Sequence, residues 1–192
     1  MKWKQQLFGM KAYQPGKPIE EVKKLFGLDE VVKLASNENP FGSSPKVKQF
    51  LQKDESNHAI YPDGYAQSLR TSLANFYGVA ENELILGNGS DDLIAIITRA
   101  LLYPGVNTVM ADLSFSQYWH NAEIEGAEVR KVPLKNGVHD LEAMLEAIDE
   151  KTSVVWVCNP NNPTGTIVSD DTLSAFLAKV PKDVFVVLDE AY

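Results

Sequence analysis

The chain has 192 residues, 44% apolar and 23% charged, the proportions of a packed globular protein with room for one domain or one domain and an arm. Its 18 basic and 26 acidic side chains leave a formal charge of −8, which argues against a nucleic-acid partner, and its one cysteine, Cys158, excludes an internal disulfide and suits a reducing compartment. The start lacks the apolar stretch and cleavage site of a secretory signal, and no apolar run approaches the roughly 20 residues of a membrane span, so a cytoplasmic protein with no membrane partner is expected.

Residues 1–35 read as an irregular arm punctuated by Pro15, Gly16 and Pro18, with a short helix over 20–26 and a strand over 31–35. Turn-rich residues 36–42 follow, and a second loop, Tyr61-Pro62-Asp63-Gly64-Tyr65, precedes a clear helix. In it Leu69, Leu73, Phe76 and Tyr77 recur at i, i+4, i+7 and i+8, which makes one apolar stripe. From there strands predicted over 84–86, 108–111, 128–132, 153–157 and 184–188 alternate with helices over 91–102, 117–125, 141–148 and 169–177. Asp140 and Ser169 are placed to cap the last two helices. Such alternation implies a three-layer α/β/α domain on a mostly parallel sheet.

Ligands of such sheets bind beyond the carboxyl ends of the strands, and four predicted strand ends carry polar punctuation. Gly87-Asn88-Gly89-Ser90-Asp91 leads into a helix, where free N–H groups and close backbone approach suit an anion; the plainer alternative is a capped tight turn. Asn159-Pro160-Asn161-Asn162-Pro163-Thr164-Gly165 frames two asparagines between prolines, either a rigid ridge of hydrogen-bond donors or a connecting loop. Asp189 ends an apolar strand, where a carboxylate needs a cationic partner unless it caps a following helix. Phe115 and Tyr118 could stack on a flat ring or belong to the core. His58, His120 and His139 have no ligand-like spacing and read as ordinary surface or core residues, Cys158 reads as a small buried residue, and no metal site is expected.

In chain order, Ser36-Asn37-Glu38-Asn39-Pro40, Tyr61-Pro62-Asp63-Gly64, Gly87-Asn88-Gly89-Ser90-Asp91-Asp92, the Asn-Pro-Asn-Asn-Pro-Thr-Gly loop at 159–165 and Asp189-Glu190-Ala191-Tyr192 resemble the successive motifs of fold-type I aminotransferases, which depend on pyridoxal 5'-phosphate. The Asn-Glu-Asn-Pro and Tyr-Pro-Asp-Gly elements resemble those of histidinol-phosphate aminotransferases in particular. The resemblance implies amino-group transfer between L-histidinol phosphate and glutamate/2-oxoglutarate. It also implies a homodimer. Residues 1–60 would form an arm and small-domain segment, and 61–192 the N-terminal part of the cofactor-binding large domain.

The resemblance further implies that Gly89, Ser90 and Asp91 hold the cofactor phosphate, while Phe115 stacks on its ring. Asn162 and Tyr192 would bond the ring hydroxyl oxygen, and Asp189 the ring nitrogen, with Asp189 and Tyr192 counted as catalytic. Tyr61 would reach the neighbouring subunit's cofactor phosphate, and Tyr13, Asn37 and Asn39 would lie near substrate. The family's Schiff-base lysine falls downstream of the Asp-Glu-Ala-Tyr motif, so the chain reads as an N-terminal portion, inactive by itself. Another fold-type I enzyme, such as an aromatic aminotransferase or a threonine-phosphate decarboxylase, or a non-catalytic cofactor-binding fragment, stands as the alternative.

Overall fold

Thr152-Ser153-Val154-Val155-Trp156-Val157-Cys158 is an almost unbroken apolar run, the pattern of a strand covered on both faces, and it forms the middle of the sheet. The computed structural model describes residues 2–11, 16–34, 36, 38–53 and 59–192. They divide into two compact units, Met10–Tyr65 and a larger one of Met1–Gly9 with Ala66–Tyr192.

The smaller unit carries two helices, α1 (Ile19–Phe26) and α2 (Pro45–Gln52). Gly27, at φ +64°, ends α1 in the left-handed conformation, and Pro45 opens α2. The strand expected over 31–35 does not form. Residues 31–34 are irregular with Val32 and Leu34 exposed, they have no ladder partner among the described residues, and residue 35 lies outside those residues.

In the larger unit α3 (Gln67–Tyr77) and α4 (Gly89–Leu101) lead to β1 (Asn107–Ala111), followed by α5 (Gln117–Glu125), β2 (Glu128–Val132), α6 (Leu141–Glu146), β3 (Thr152–Cys158), α7 (Asp170–Leu177) and β4 (Phe185–Asp189). The four strands are all parallel in the order β2-β1-β3-β4, with Ala111 opposite Val132 and Cys158 opposite Asp189. The three-layer expectation holds. One face of the sheet presents Met110, Val154, Trp156 and Cys158 to Ile94 of α4 and to Tyr118 and Ala122 of α5. The other presents Val109, Val155 and Val157 to Leu141 and Met144 of α6 and Leu173 and Phe176 of α7. Side chains of this size stabilise the fold by about 1.5–3 kcal/mol each when fully buried.

The caps at Asp140 and Ser169 are in place, accepting the N–H groups of Ala143 and Thr172. Helix α6 stops at Glu146 rather than 148, because the Asp149 N–H bonds the Thr152 hydroxyl (2.9 Å) and turns the chain into β3. Residues 84–86 are extended but not a strand: no neighbour pairs with them among the described residues, and Ile85 is exposed.

Candidate active site

Because the strands are parallel, their carboxyl ends share one edge of the sheet, and the loops leaving β1, β2, β3 and β4 meet there. The loop after β3 is the organiser. Its Asn161 is 2% exposed, and a buried amide must satisfy both ends. Asn161 Nδ2 donates to the carbonyl of Leu113 (3.0 Å) and to Thr164 Oγ1 (2.8 Å), while Oδ1 accepts from Ser114 Oγ (2.8 Å). Thr166 Oγ1 carries the network on to the carbonyl of Gly137 (2.7 Å), and His139 Nε2 lies 2.9 Å from the carbonyl of Cys158. The Asn159–Pro160 and Asn162–Pro163 peptides are cis.

The end of β4 is tied to the same loop, since the Asn159 N–H donates to the carbonyl of Asp189 (2.9 Å). Both carboxylate oxygens of Asp189 are engaged: Oδ1 accepts the N–H of Ala191 (3.1 Å) and Oδ2 accepts the hydroxyl of Tyr118 (2.5 Å). Asn162 Nδ2 donates to Tyr192 Oη at 2.9 Å. Thus Asp189, Asn162 and Tyr192, singled out in the sequence, come together on adjoining strand ends. Phe115 is half-buried and meets Tyr118 edge to face, centroids 5.7 Å apart.

Helix α4 joins β1 through a short connection at its carboxyl end and starts at Gly89. Asn88 makes no side-chain cap bond there, although the Asp92 carboxylate accepts the Asn88 N–H (3.0 Å). Gly89 sits at φ +78°, which disfavours any other residue, and a Cβ built on it would meet open space. A Cβ on Gly87 would instead press on Asp92 Oδ2 at 3.0 Å and Leu93 Cδ2 at 3.1 Å. Gly89, Ser90 and Asp91 therefore form an open helix start with its positive dipole end, the setting of an anion site.

The remaining site residues expected from sequence lie in the smaller unit or outside the described residues. Tyr61 is 98% exposed. The Asn39 side chain closes a local turn, accepting the N–H of Phe41 (3.0 Å) and donating to the carbonyl of Gly42 (3.1 Å). Tyr13 and Asn37 lie outside the described residues, as does His58.

Two site residues were not singled out from sequence. From sequence Tyr118 reads only as a stacking or core aromatic, and its partner Asp189 is 71 positions away, beyond any local pattern. Asn161 was one of two asparagines on the ridge, and only its burial reveals it as the anchor. Burial also pushes the pKa of His139 down and that of the Cys158 thiol up, which keeps both neutral beneath the loop. Among the described residues no group of His, Cys, Asp and Glu side chains is arranged to hold a metal ion, and no helix is long and apolar enough to cross a membrane.

The class I and II aminotransferase model matches residues 29–192, and the chain belongs to that family. The histidinol-phosphate aminotransferases of Lysinibacillus sphaericus and Halalkalibacterium halodurans are 73% and 62% identical to it over 192 residues, 100% of this chain and 52% of each relative. The crystal structure of histidinol-phosphate aminotransferase from Sinorhizobium meliloti in complex with pyridoxal-5'-phosphate has a TM-score of 0.88 at 24% identity, covering 99% of this chain and 51% of that one. A putative histidinol-phosphate aminotransferase from Erwinia carotovora atroseptica gives 0.76 at 30% identity, covering 82% and 46%. The chain spans about half the length of the curated relatives it matches.

Proposed function

We propose that the complete gene product transfers an amino group between L-histidinol phosphate and 2-oxoglutarate with pyridoxal phosphate as cofactor. One observation carries this reading. A carboxylate engaged on both oxygens, Asp189, and an amide–hydroxyl pair, Asn162–Tyr192, converge on one sheet edge. The naming of relatives at 57–73% identity supports the choice of substrate.

The residues present fit the cofactor. The open, glycine-started helix at Gly89, Ser90 and Asp91 suits its phosphate, and Asp189 suits a protonated ring nitrogen. Phe115 would lie against the ring, and Asn162 and Tyr192 would bond its hydroxyl oxygen. Bound there, pyridoxal phosphate supplies the electron sink that amino-acid side chains lack. Asp189 would be the anionic partner that favours a proton on the ring nitrogen. Asn162 and Tyr192 would hold the ring hydroxyl oxygen, with the anchored loop beneath them keeping both donors in place without reorganisation.

The proposal extends to assembly and place. A homodimer would let Tyr61 contribute to the partner's phosphate site, with Tyr13, Asn37 and Asn39 near the substrate. Residues 1–60 would serve as arm and small-domain segment, and residues 61–192 as the N-terminal part of the large domain. The cytoplasm is the expected compartment, since one buried cysteine and no disulfide suit reducing conditions.

A panel of amino donors tests the substrate assignment: histidinol phosphate, phenylalanine and threonine phosphate, each with 2-oxoglutarate and the complete gene product. Histidinol phosphate should give the highest kcat/KM by at least about tenfold, a margin that a site built to bond a polar substrate supplies readily. A preference for either other donor would overturn the assignment.

A further inference from the structure

We propose that Tyr118 is a positioning residue for Asp189, its donated hydroxyl fixing the carboxylate in the orientation that a cationic ring nitrogen requires; the inference rests on the cofactor reading above. Tyr118 is 0% exposed, and a buried phenol hydroxyl needs an acceptor. The acceptor is Asp189 Oδ2 at 2.5 Å, while Oδ1 is held from the other side by the Ala191 N–H at 3.1 Å. Two donors on two oxygens set the plane of a carboxylate that would otherwise turn about its own bond. Each oxygen keeps a lone pair for a third partner.

The donor itself has little freedom. The Tyr118 ring stacks on Trp156, centroids 4.8 Å apart and planes 15° from parallel. Trp156 is pinned in turn, its Nε1 donating to Thr108 Oγ1 (2.9 Å), which donates to the carbonyl of Val154 (2.8 Å). Burial, and then the bond to Asp189, hold the phenol far above its ordinary pKa, so it remains a donor across any working pH. Its edge-to-face contact with Phe115 means that one aromatic residue steadies both the carboxylate and the side chain expected against the cofactor ring. The relay runs from the sheet interior to the site through rigid groups, a second layer of support of the kind that precise sites need.

The test uses the complete gene product carrying Tyr118→Phe, which keeps the ring and its stacking and deletes only the O–H. Pyridoxal phosphate should dissociate about tenfold more readily and kcat should fall about tenfold, the cost of removing one hydrogen bond to a charged group, while KM for the amino donor stays unchanged. In an Asp189→Asn background the same substitution should add less than about twofold, because the donor acts through the carboxylate. Wild-type cofactor affinity and kcat in Tyr118→Phe, alongside losses in Asp189→Asn, would overturn the inference and leave the cofactor reading intact. Fully additive losses in the double variant would overturn it as well. An Asp189→Asn enzyme equal to wild type in both measurements would instead sink the cofactor reading, and this inference with it. Should Tyr118→Phe not fold, difluorotyrosine at position 118 retains the ring and strengthens the donor. The pH midpoint of the bound cofactor's visible absorption should then shift, and an unchanged midpoint would count against the proposal.

Discussion

The Asn162 amide donates a 2.9 Å hydrogen bond to the Tyr192 hydroxyl, joining residues 30 positions apart on the loops that leave β3 and β4. The amide carries a second N–H, and the phenol can donate while it accepts, so the pair can present two donors to a single oxygen. Asn162→Ala and Tyr192→Phe in the complete gene product should each lower kcat/KM by about tenfold to a hundredfold, the range for losing one donor to a charged oxygen. The double variant should lose less than the product of the two, since each group holds the other. A fully multiplicative loss would show that the two act on different targets.

Asn161 should matter to stability, where Asn162 on the proposed reading would matter to chemistry. Asn161→Ala removes the acceptor of the half-buried Ser114 hydroxyl and the donor to the Leu113 carbonyl and the Thr164 hydroxyl, contacts of 2.8–3.0 Å in the native protein. The expected cost is about 1–3 kcal/mol, the range for deleting a buried amide whose partners are half-buried and in part re-solvated by water. Denaturant unfolding of the variant measures it. A loss under about 0.5 kcal/mol, the ordinary range of surface substitutions, would show that the network is not a keystone.

Much of the larger unit was legible because its elements carry strong local signals. Gln117–Glu125 and Glu128–Val132 have the bounds expected from sequence, since Gly126 closes the helix at φ +84° and leaves no room for doubt about where the strand starts. The caps Asp140 and Ser169 were readable for the same reason. The smaller unit was harder. Pro45–Gln52 forms a helix that the sequence expectations lack, although Val47, Phe50 and Leu51 stand at i, i+3 and i+4 behind a Ser-Pro start. Residues 31–34 and 84–86 have strand-like composition, yet a strand needs a neighbour, which no local pattern supplies. In the site, Asp189, Asn162 and Tyr192 were readable as motif residues. The Tyr118–Asp189 contact was not, because it exists only once α5 packs over the sheet.

His139 should give the protein an acid-sensitive step. Burial disfavours its imidazolium, so its folded-state pKa lies below the ordinary value, and Nδ1 is buried without a hydrogen-bond partner. As pH falls through about 6.5 the unfolded chain takes up this proton first, so stability falls until the lower folded-state pKa is reached, then levels off for this group. Glu81, held down chiefly by the Thr71 hydroxyl, and Asp149, held down chiefly by the Asn107 amide, lose their contributions only at more acid pH, below about 4. Thermal midpoints between about pH 5 and 6.5 should therefore decline in the native protein and flatten in His139→Gln. Equal slopes in the two proteins would assign the acid step to other groups.

Tyr61 tests the dimer. It is 98% exposed in its own chain, and in the proposed homodimer it would complete the partner's phosphate site. Tyr61→Phe and Asp189→Asn subunits, each impaired alone, should regain about a quarter of wild-type activity when mixed, because half of randomly paired dimers hold one intact site of two. No recovery in demonstrated mixed dimers would remove Tyr61 from the shared site.

The most direct measurement is turnover of L-histidinol phosphate with 2-oxoglutarate by the purified complete gene product, native against Asp189→Asn. Both Asp189 oxygens accept hydrogen bonds at the end of β4; the near-isosteric amide keeps one acceptor, turns its NH2 to the Tyr118 hydroxyl oxygen, and loses the charge that on the proposed reading would hold a proton on the ring nitrogen. Turnover should fall by about a hundredfold or more, at the level of losing a preorganised electrostatic contact, while the thermal midpoint changes little. A variant that folds normally and turns over histidinol phosphate at the native rate would contradict the assignment of Asp189, and with it the proposed chemistry of this site.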